Sequence, residues 1–491
     1  MGVVLACDLG GTTLRVALVD AQGDTLAEAS VDSPVGRFGE GWAEIDADDW
    51  WRAYAEAVEI LAAQAGALFD ETEALATCGV TRTQIFLDAA GRPLRPAITW
   101  RDARAGDVMD DVLAAVPASH PERSALNPFH PLARLAWLRK HEPRAHARLR
   151  SVLEPKDYLN FRLTGAQASD AISSARLAAV AGEPLRVLGC GAGLLPRLLP
   201  PEGEVGRVAP GLDGAMARLA GRSVYACSND TWAAVAGLGA LRAGHAYNIS
   251  GTTEVFGVIG AQAVQAPGLM TVDWGAGHYQ IGGPGQNGAD TVAWLLQLLA
   301  GQARGRADTA RVLSDLLSRP RDPQPVLFLP YLQGERVPYW DAALRGAFVG
   351  LNRRHGPTDL AWAVLEGVAF LNRIVLERGE AALGRPVSEI HFGGGAASNP
   401  VWCRIKADVC ERPVTTVAQA QPGILGAAAV AWTGLGRHAS LDAAQQALVR
   451  PVRRYEPDAA RGAAYRHFYQ LYRRAEEALA PISRELAAYG A

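Results

Sequence analysis

Cys227-Ser228-Asn229-Asp230-Thr231-Trp232-Ala233 sits near the middle of the 491-residue chain. Residues 222–226 read as the end of a strand, and residues 231–241, rich in Ala, Leu and Val, as a helix. Asp230 therefore stands at a strand-to-helix junction, where a carboxylate can point into a cleft. The plainer alternative is an N-cap, since Asp satisfies orphan N–H groups there. Two Gly/Thr loops at a distance give the junction more weight, because their chemistry is that of anion binding. In the first, Asp8-Leu9-Gly10-Gly11-Thr12-Thr13 joins an apolar run at 3–7 to a second strand at 14–20. Glycines let the backbone approach an anion, successive N–H groups form a nest, and Thr hydroxyls add donors. No Lys follows the glycines and no helix starts there, so the loop is neither a P-loop nor a GxGxxG turn.

The second loop repeats the first. Residues 246–250 read as a strand ending in Gly251-Thr252-Thr253, and a strand at 254–260 follows. Ala-Gln stands ten residues after Gly11 and again ten residues after Gly251, so tip and following turn recur at an offset of 240 residues, about half the chain. The repeat predicts two related domains, each opened by a phosphate-type hairpin. Further polar or glycine-rich clusters stand at predicted strand ends, where open α/β sheets bind ligands. They are Thr81-Arg82-Thr83-Gln84, Trp100-Arg101-Asp102 and Gly393-Gly394-Gly395-Ala396-Ala397-Ser398-Asn399; a further loop, Gly282 to Gly288, opens a helix at 289–299. Pro400 follows the 393–399 cluster at the favoured first helical position, with Asn399 as the expected cap.

The elements that position these residues alternate between buried strands and helices, and the length makes two large domains the default. The hydrophobic fraction of 49% and charged fraction of 20% suit a soluble globular protein. A net charge of −3 without a large basic cluster argues against nucleic acid. The six cysteines form no CxxC pair, which predicts reduced thiols in a cytoplasmic protein, with neither a disulfide framework nor a zinc site. Residues 1–7 carry no signal-peptide pattern, and no apolar run is long enough to span a bilayer. The segment after Arg437 reads as a charged, peripheral helical cap.

Gly346-Ala347-Phe348-Val349-Gly350-Leu351, then seven residues, then Asp359-Leu360-Ala361-Trp362-Ala363-Val364-Leu365-Glu366, resembles the second signature of the FGGY carbohydrate kinases. Phe129-His130-Pro131 with Arg134, Trp137 and Leu138 resembles the first, with Arg134 where Lys is usual. Gly334-Glu335-Arg336-x-Pro338 and Gly393-Gly394-Gly395-Ala396 look most like the xylulokinase and gluconokinase branch. The resemblance implies an α/β chain of two ribonuclease-H-like, actin-like ATPase domains with a deep interdomain cleft. It places a sugar-binding N-terminal domain at 1–243 and a nucleotide-binding C-terminal domain with the helical cap at 244–491.

ATP, Mg²⁺ and a small sugar are the implied ligands. Asp230 matches the catalytic base, and Asp8 with Asp230 the metal site. Gly11, Thr12 and Thr13 match the first phosphate loop, and Gly251 and Thr252 the second. Gly288, Gly394, Gly395, Ala396 and Asn399 match positions around the nucleotide. Thr81, Arg82, Trp100, Asp102, Phe129, Asp230 and Thr231 match the sugar site.

Three positions depart from the relatives. Val80-Thr81-Arg82 replaces the xylulokinase Gln-Met-His pattern, Thr83 stands where glycerol kinases have Glu, and Thr231 where Gln or Asn is common. A ketopentose such as xylulose is the expected substrate, with gluconate, a hexulose or a polyol as alternatives. A non-catalytic actin-like ATPase or a sugar sensor is the rival class. The first would not need Asp230 or the polar clusters, and the second should lose Asp8 or Asp230. No nucleic-acid or membrane partner is expected, and a homodimer is one assembly the family allows.

Overall fold

A computed structural model gives the structure of the chain and describes residues 2–251, 253–300, 305–419 and 421–489. The chain divides into two compact units, Met1–Gly237 with Gly423–Leu448, and Leu238–Pro422 with Val449–Ala491.

The sheet of the first unit is made of β1 (Val3–Leu9), β2 (Thr13–Asp20), β3 (Thr25–Asp32), β4 (Thr72–Gly79), β5 (Glu204–Arg207) and β6 (Ser223–Tyr225), in the order β5-β6-β4-β1-β2-β3. β1, β2 and β3 pair antiparallel, whereas β4 and β6 run parallel to β1. A strand flanked on both sides and covered on both faces must be apolar throughout, and Val3 to Cys7 are all buried. Helix α1 (Ala47–Ala65) starts at Asp46, whose side chain accepts from Asp48 N–H, and packs Trp50, Tyr54, Val58 and Leu61 into the core. Helix α2 (Pro155–Thr164) stops at Gly165, which takes the left-handed φ of 74° expected of a glycine stop. Helix α3 (Asp230–Gly237) follows β6.

The second unit repeats this plan. Its sheet contains β7 (Ala246–Ser250), β8 (Glu254–Gly260), β9 (Met270–Asp273), β10 (Tyr279–Pro284), β11 (Ile390–Gly393), β12 (Val414–Val417) and β13 (Pro451–Tyr455), in the order β9-β10-β8-β7-β11-β12-β13. β7 and β8 form the antiparallel hairpin, with β11 parallel beside β7 and β12 parallel beside β11. Helices α4 (Ala289–Ala300), α5 (Pro357–Leu383) and α6 (Pro400–Cys410) complete its core. The expected hairpin therefore opens each unit.

The division differs from a single cut after residue 243. Helix α7 (Pro422–Gly434) belongs, from Gly423 on, to the first unit. Its small residues allow close contact: a Cβ at Gly426 would lie 1.9 Å from the carbonyl oxygen of Ala233 on α3. Trp432, 1% exposed, donates its indole N–H to the Asp20 carbonyl at 2.9 Å. The segment after Arg437 is likewise more than a cap. β13 is an edge strand paired with β12, and helix α8 (Ala459–Ala488) buries Tyr465, Tyr469 and Tyr472 around Phe370. The charged composition hid this because three tyrosines, each with its hydroxyl on a partner (Glu366, Glu377 and Tyr331), supply the buried face.

Candidate active site

In the first unit, Leu9 pairs with Gly79, and Gly79 bridges to Asn229, so the ends of three parallel strands lie side by side. Asp8 is the penultimate residue of β1, and Asp230 begins α3. The cap of α3 is Asn229, not Asp230: Asn229 Oδ1 accepts from Trp232 N–H at 2.9 Å. Asp230 Oδ1 accepts from Thr231 N–H at 2.6 Å and Thr231 Oγ1–H at 3.2 Å, and no donor among the described residues is recorded on Oδ2. Burial raises the Asp230 pKa against these two hydrogen bonds. Burial and then repulsion from Asp230 push Asp8 up to about 6, with Arg15 acting in the other direction. At the hairpin tip Gly10 N–H donates to Thr13 O at 3.1 Å, and Ser33 clasps the tip from Gly10 O and Thr12 O. Gly11 and Thr12 are exposed, and a Cβ on Gly11 would meet nothing within 4 Å.

The expected sugar residues divide into exposed and committed groups. Arg82 is exposed and has a left-handed φ of 55°. Its N–H donates to Glu154 Oε1 at 2.9 Å and its carbonyl accepts from Arg134. Arg134, fully buried, donates to Thr99 O at 2.7 Å and to Gln84, so one guanidinium ties the Arg82 loop to the loop carrying Trp100. Trp100 and Phe129 are 41% and 38% exposed.

Asp102 is held by protein partners. Its buried carboxylate accepts from Ala43 N–H at 2.7 Å and from Arg104, whose Nη1 reaches Glu44 at 2.7 Å. It is occupied in bracing the loop because partners remote in sequence converge on it.

Beneath Asp230 lies a buried cluster. Lys156 Nζ contacts Asp157 Oδ1 at 2.6 Å and Asp170 Oδ2 at 2.8 Å, and Ser228 Oγ–H donates to Asp170 Oδ1 at 2.8 Å. Burial works against the Lys156 ammonium, but Asp157 and Asp170 raise its pKa and keep it charged. Ser228 is two residues from Asp230, so the ion cluster anchors the loop that presents the carboxylate. Burial and the Asp157 charge push Glu154 up to about 8.

In the second unit, Gly251 N–H donates to Thr253 O at 3.0 Å, and Ala289 N–H to Gly251 O at 3.1 Å. Thr252 lies outside the described residues. A Cβ at Gly288 would come 2.5 Å from the Thr253 carbonyl carbon, and one at Gly394, φ 84°, 2.3 Å from Ser250 O. These glycines bring two loops against the hairpin tip. Gly395 is exposed, Ala396 is buried, and Asn399 Oδ1 caps α6 from Val401 N–H and Trp402 N–H.

Two carbohydrate-kinase domains are found in the chain. Residues 3–237 match the N-terminal domain of the FGGY family of carbohydrate kinases, and residues 246–435 match its C-terminal domain. The chain belongs to the FGGY family of carbohydrate kinases. It is 29% identical to a xylulose kinase of Escherichia coli (strain K12), over 97% of this chain and 99% of that one. It is 30% identical to a glycerol kinase of Dechloromonas aromatica (strain RCB), over 97% of each. The solved structure of a xylulose kinase from Rhodospirillum rubrum superposes with a TM-score of 0.84 at 26% identity, covering 98% of this chain and 99% of the other. The fold of this kinase is thus the two-domain α/β fold of actin-like ATPases, and its substrates are a small-molecule sugar and ATP. Among the described residues no helix is long and apolar enough to cross a membrane.

The donor set at Asp8 suits magnesium. Both carboxylates offer hard oxygens, and the repulsion that Asp230 adds to burial in raising the Asp8 pKa marks a place short of positive charge. Glu154, Lys156, Asp170 and Ser228 were not among the expected site residues. A Lys-Asp pair opening a helix was the visible signal, but it becomes meaningful only once both side chains are seen to be buried.

Proposed function

We propose that this kinase transfers the γ-phosphoryl group of ATP to a hydroxyl of a ketopentose such as xylulose, with Asp230 as general base. The observation that carries this reading is Asp230 itself. Its capping duty is taken by Asn229, one oxygen is held by Thr231, and Oδ2 remains for a substrate proton. An ordinary carboxylate, with a pKa of about 4, is a weak base towards an alcohol. Burial raises Asp230 above that value and strengthens it.

The sugar hydroxyl lies against Asp230 and gives its proton to Oδ2 as its oxygen bonds the γ-phosphorus. The bond to the β–γ bridging oxygen breaks and ADP leaves. Phosphoryl transfer rests on positioning and charge neutralisation more than on covalent chemistry. Asp8 and Asp230 would hold Mg²⁺, which would supply part of that neutralisation. Gly11, Thr12 and Thr13 offer N–H and hydroxyl donors to phosphate oxygens. Gly251, Thr252, Gly288 and the 394–399 loop hold nucleotide.

Arg82 reads the sugar, with Thr81, Trp100, Phe129 and Thr231 around it. Its backbone is fixed by Glu154 and Arg134, which sets the place from which the guanidinium, suited to hydroxyl, carbonyl and carboxylate oxygens, reaches the substrate. The xylulose kinases among the similar proteins favour a ketopentose. The charge of Arg82 favours gluconate as the second reading.

An ADP-release assay with xylulose, gluconate and glycerol decides between them. Xylulose is expected to give the highest kcat/KM. Arg82→Met should lower that value by about 10–100-fold, the loss of hydrogen bonds to a charged group, and leave KM for ATP unchanged. Gluconate as the best substrate, abolished by the same change, replaces the first reading with the second. No sugar-dependent ADP release with any of them refutes both.

A further inference from the structure

At the other end of the second unit's sheet stand two histidines and a glutamate with no part in the chemistry above. His245 immediately precedes β7, and Glu389 and His391 begin the β11 segment; β7 and β11 run parallel, with Ala246 paired to Ile390 and Tyr247 to His391. Ala246 N–H donates to Glu389 O at 2.9 Å, so the two strand starts are fixed to each other. Side chains two residues apart on a strand share a face. That pleat places His245, Glu389 and His391 together.

The ligating atoms converge. His245 Nδ1 lies 2.9 Å from His391 Nε2, His245 Nδ1 lies 3.8 Å from Glu389 Oε1, and His391 Nε2 lies 3.6 Å from the same oxygen. A triangle with sides of 2.9, 3.8 and 3.6 Å has a circumradius of about 2.0 Å, the distance at which Zn²⁺ takes imidazole nitrogen and carboxylate oxygen. One point is therefore equidistant from all three atoms at bonding length. A displacement of the ion to one side of the plane lengthens the bonds by only about 0.1–0.2 Å and opens a fourth position.

The surrounding groups orient these ligands as a metal site requires. His391 Nδ1 lies 2.8 Å from Leu238 O, and a carbonyl only accepts, so Nδ1 carries the proton and Nε2 the lone pair. Such a hydrogen bond from the distal ring nitrogen is the common support of a ligating histidine. Glu389 Oε2 accepts from Thr415 Oγ1–H at 2.6 Å and Arg454 Nη1–H at 2.7 Å, which turns Oε1 towards the histidines. In the metal-free chain His245 Nδ1–H donates to His391 Nε2. Moving its proton to the other ring nitrogen frees Nδ1 without changing charge. The His245 and Glu389 side chains are 13% and 17% exposed, so an ion and a water have access.

From these observations we propose that His245, Glu389 and His391 form a binding site for one transition-metal dication, with Zn²⁺ as its representative. Two imidazoles and one carboxylate favour such an ion over Mg²⁺, which prefers oxygen ligands. The site lies at the strand starts, whereas Gly251 and Gly394 follow the strand ends, roughly 15 Å away at the rise of a β-strand. Its role is accordingly structural. The ion ties β7 to β11 and, through His391, to the carbonyl of Leu238, the first residue of the second unit.

The test uses the full chain stripped with a chelator and then titrated with Zn²⁺ in a calorimeter, or with Co²⁺ followed by visible absorption. One equivalent of Zn²⁺ should bind at micromolar concentration and raise Tm. Co²⁺ should show the intense visible bands of a four-coordinate nitrogen–oxygen site. His245→Gln and Glu389→Gln should each weaken Zn²⁺ binding by at least about 100-fold and abolish the bands. Thr415→Val, which removes the hydroxyl bonded to Glu389, should weaken binding by about 10-fold, and Mg²⁺-dependent kinase activity should not change in any of the three. No uptake by the wild type, or equal uptake by the wild type and whichever ligand variants fold, overturns the proposal.

Discussion

Hairpins β1–β2 and β7–β8 each lay a parallel strand, β4 or β11, beside their first member, yet they end in opposite electrostatic states. The position occupied by Asp8 in the first is occupied, 240 residues later, by Asn248 in the second. Asn248 Nδ2 donates to Glu254 Oε1 at 2.8 Å, and Lys406 Nζ reaches the same oxygen at 2.7 Å, so the carboxylate there is neutralised from within. Asp8 has instead a second carboxylate, Asp230, for a neighbour, and burial first, then that charge, raise its pKa to about 6 against the pull of Arg15. One scaffold thus gives a site left short of positive charge and a closed counterpart with its charges balanced. The chain contains three lysines, and two of them, Lys156 and Lys406, are fully buried, one in each unit. In the first unit the lysine neutralises Asp157 and Asp170 and leaves Asp8 and Asp230 untouched.

The largest test of this contrast is Asp230→Asn. It should cost on the order of 10²–10⁴ in kcat, the usual range for removing a general base. Because Asn229 holds the cap, Tm should scarcely move and nucleotide binding should persist. Activity near that of the wild type, measured by ADP release, would remove Asp230 from the chemistry.

Exchanging the two hairpin residues comes next. Asn248→Asp removes two donated hydrogen bonds and adds a charge beside Glu254, and should destabilise the chain by about 2–4 kcal/mol. Asp8→Asn should have the opposite effect on stability while raising the Mg²⁺ concentration for half-maximal rate by about 10–100-fold. The sign follows from linkage. The folded pKa of Asp8, about 6, lies above the ordinary aspartate value of about 4, so ionisation destabilises the fold as pH rises from about 4 through about 6. At neutral pH without Mg²⁺ this amounts to about 3 kcal/mol, and it vanishes below about pH 4. Melting curves in chelator should show Asp8→Asn above the wild type at pH 7.5 and equal to it near pH 4. A variant less stable than the wild type at both pH values would break the comparison.

Two glycines give the smallest effects. Gly394→Ala meets Ser250 O at 2.3 Å in a left-handed conformation and should cost about 1–3 kcal/mol, with a raised KM for ATP. Gly11→Ala meets nothing and should change stability by less than about 0.5 kcal/mol. A raised KM for ATP in Gly11→Ala at unchanged Tm would place phosphate at the first tip, and an unchanged KM would remove it from there.

Both hairpins, the strand-to-helix junction at Asp230 and the glycine stop of α2 were legible in the sequence because each depends on neighbours within a few residues. Apolar runs mark buried strands, and Gly165 marks a left-handed backbone that a Cβ disfavours. The 240-residue repeat carried that local information to the scale of the whole chain. Which side chains meet was not legible. Asn229 and Asp230 are adjacent and both suit a cap, and only the path of the turn gives the bond to Asn229. Asp102 looked available for sugar until Ala43 and Arg104 were seen to enclose it. Helix α7 follows the 394–399 loop in sequence yet packs in the first unit, because its small residues fit against α3. By itself the sequence determined the family, the duplicated plan and the residue types at the strand ends. The tertiary structure decided which carboxylates are neutralised and which are left exposed to one another, because a charge responds to whatever lies within a few ångströms, and those neighbours come from distant parts of the chain.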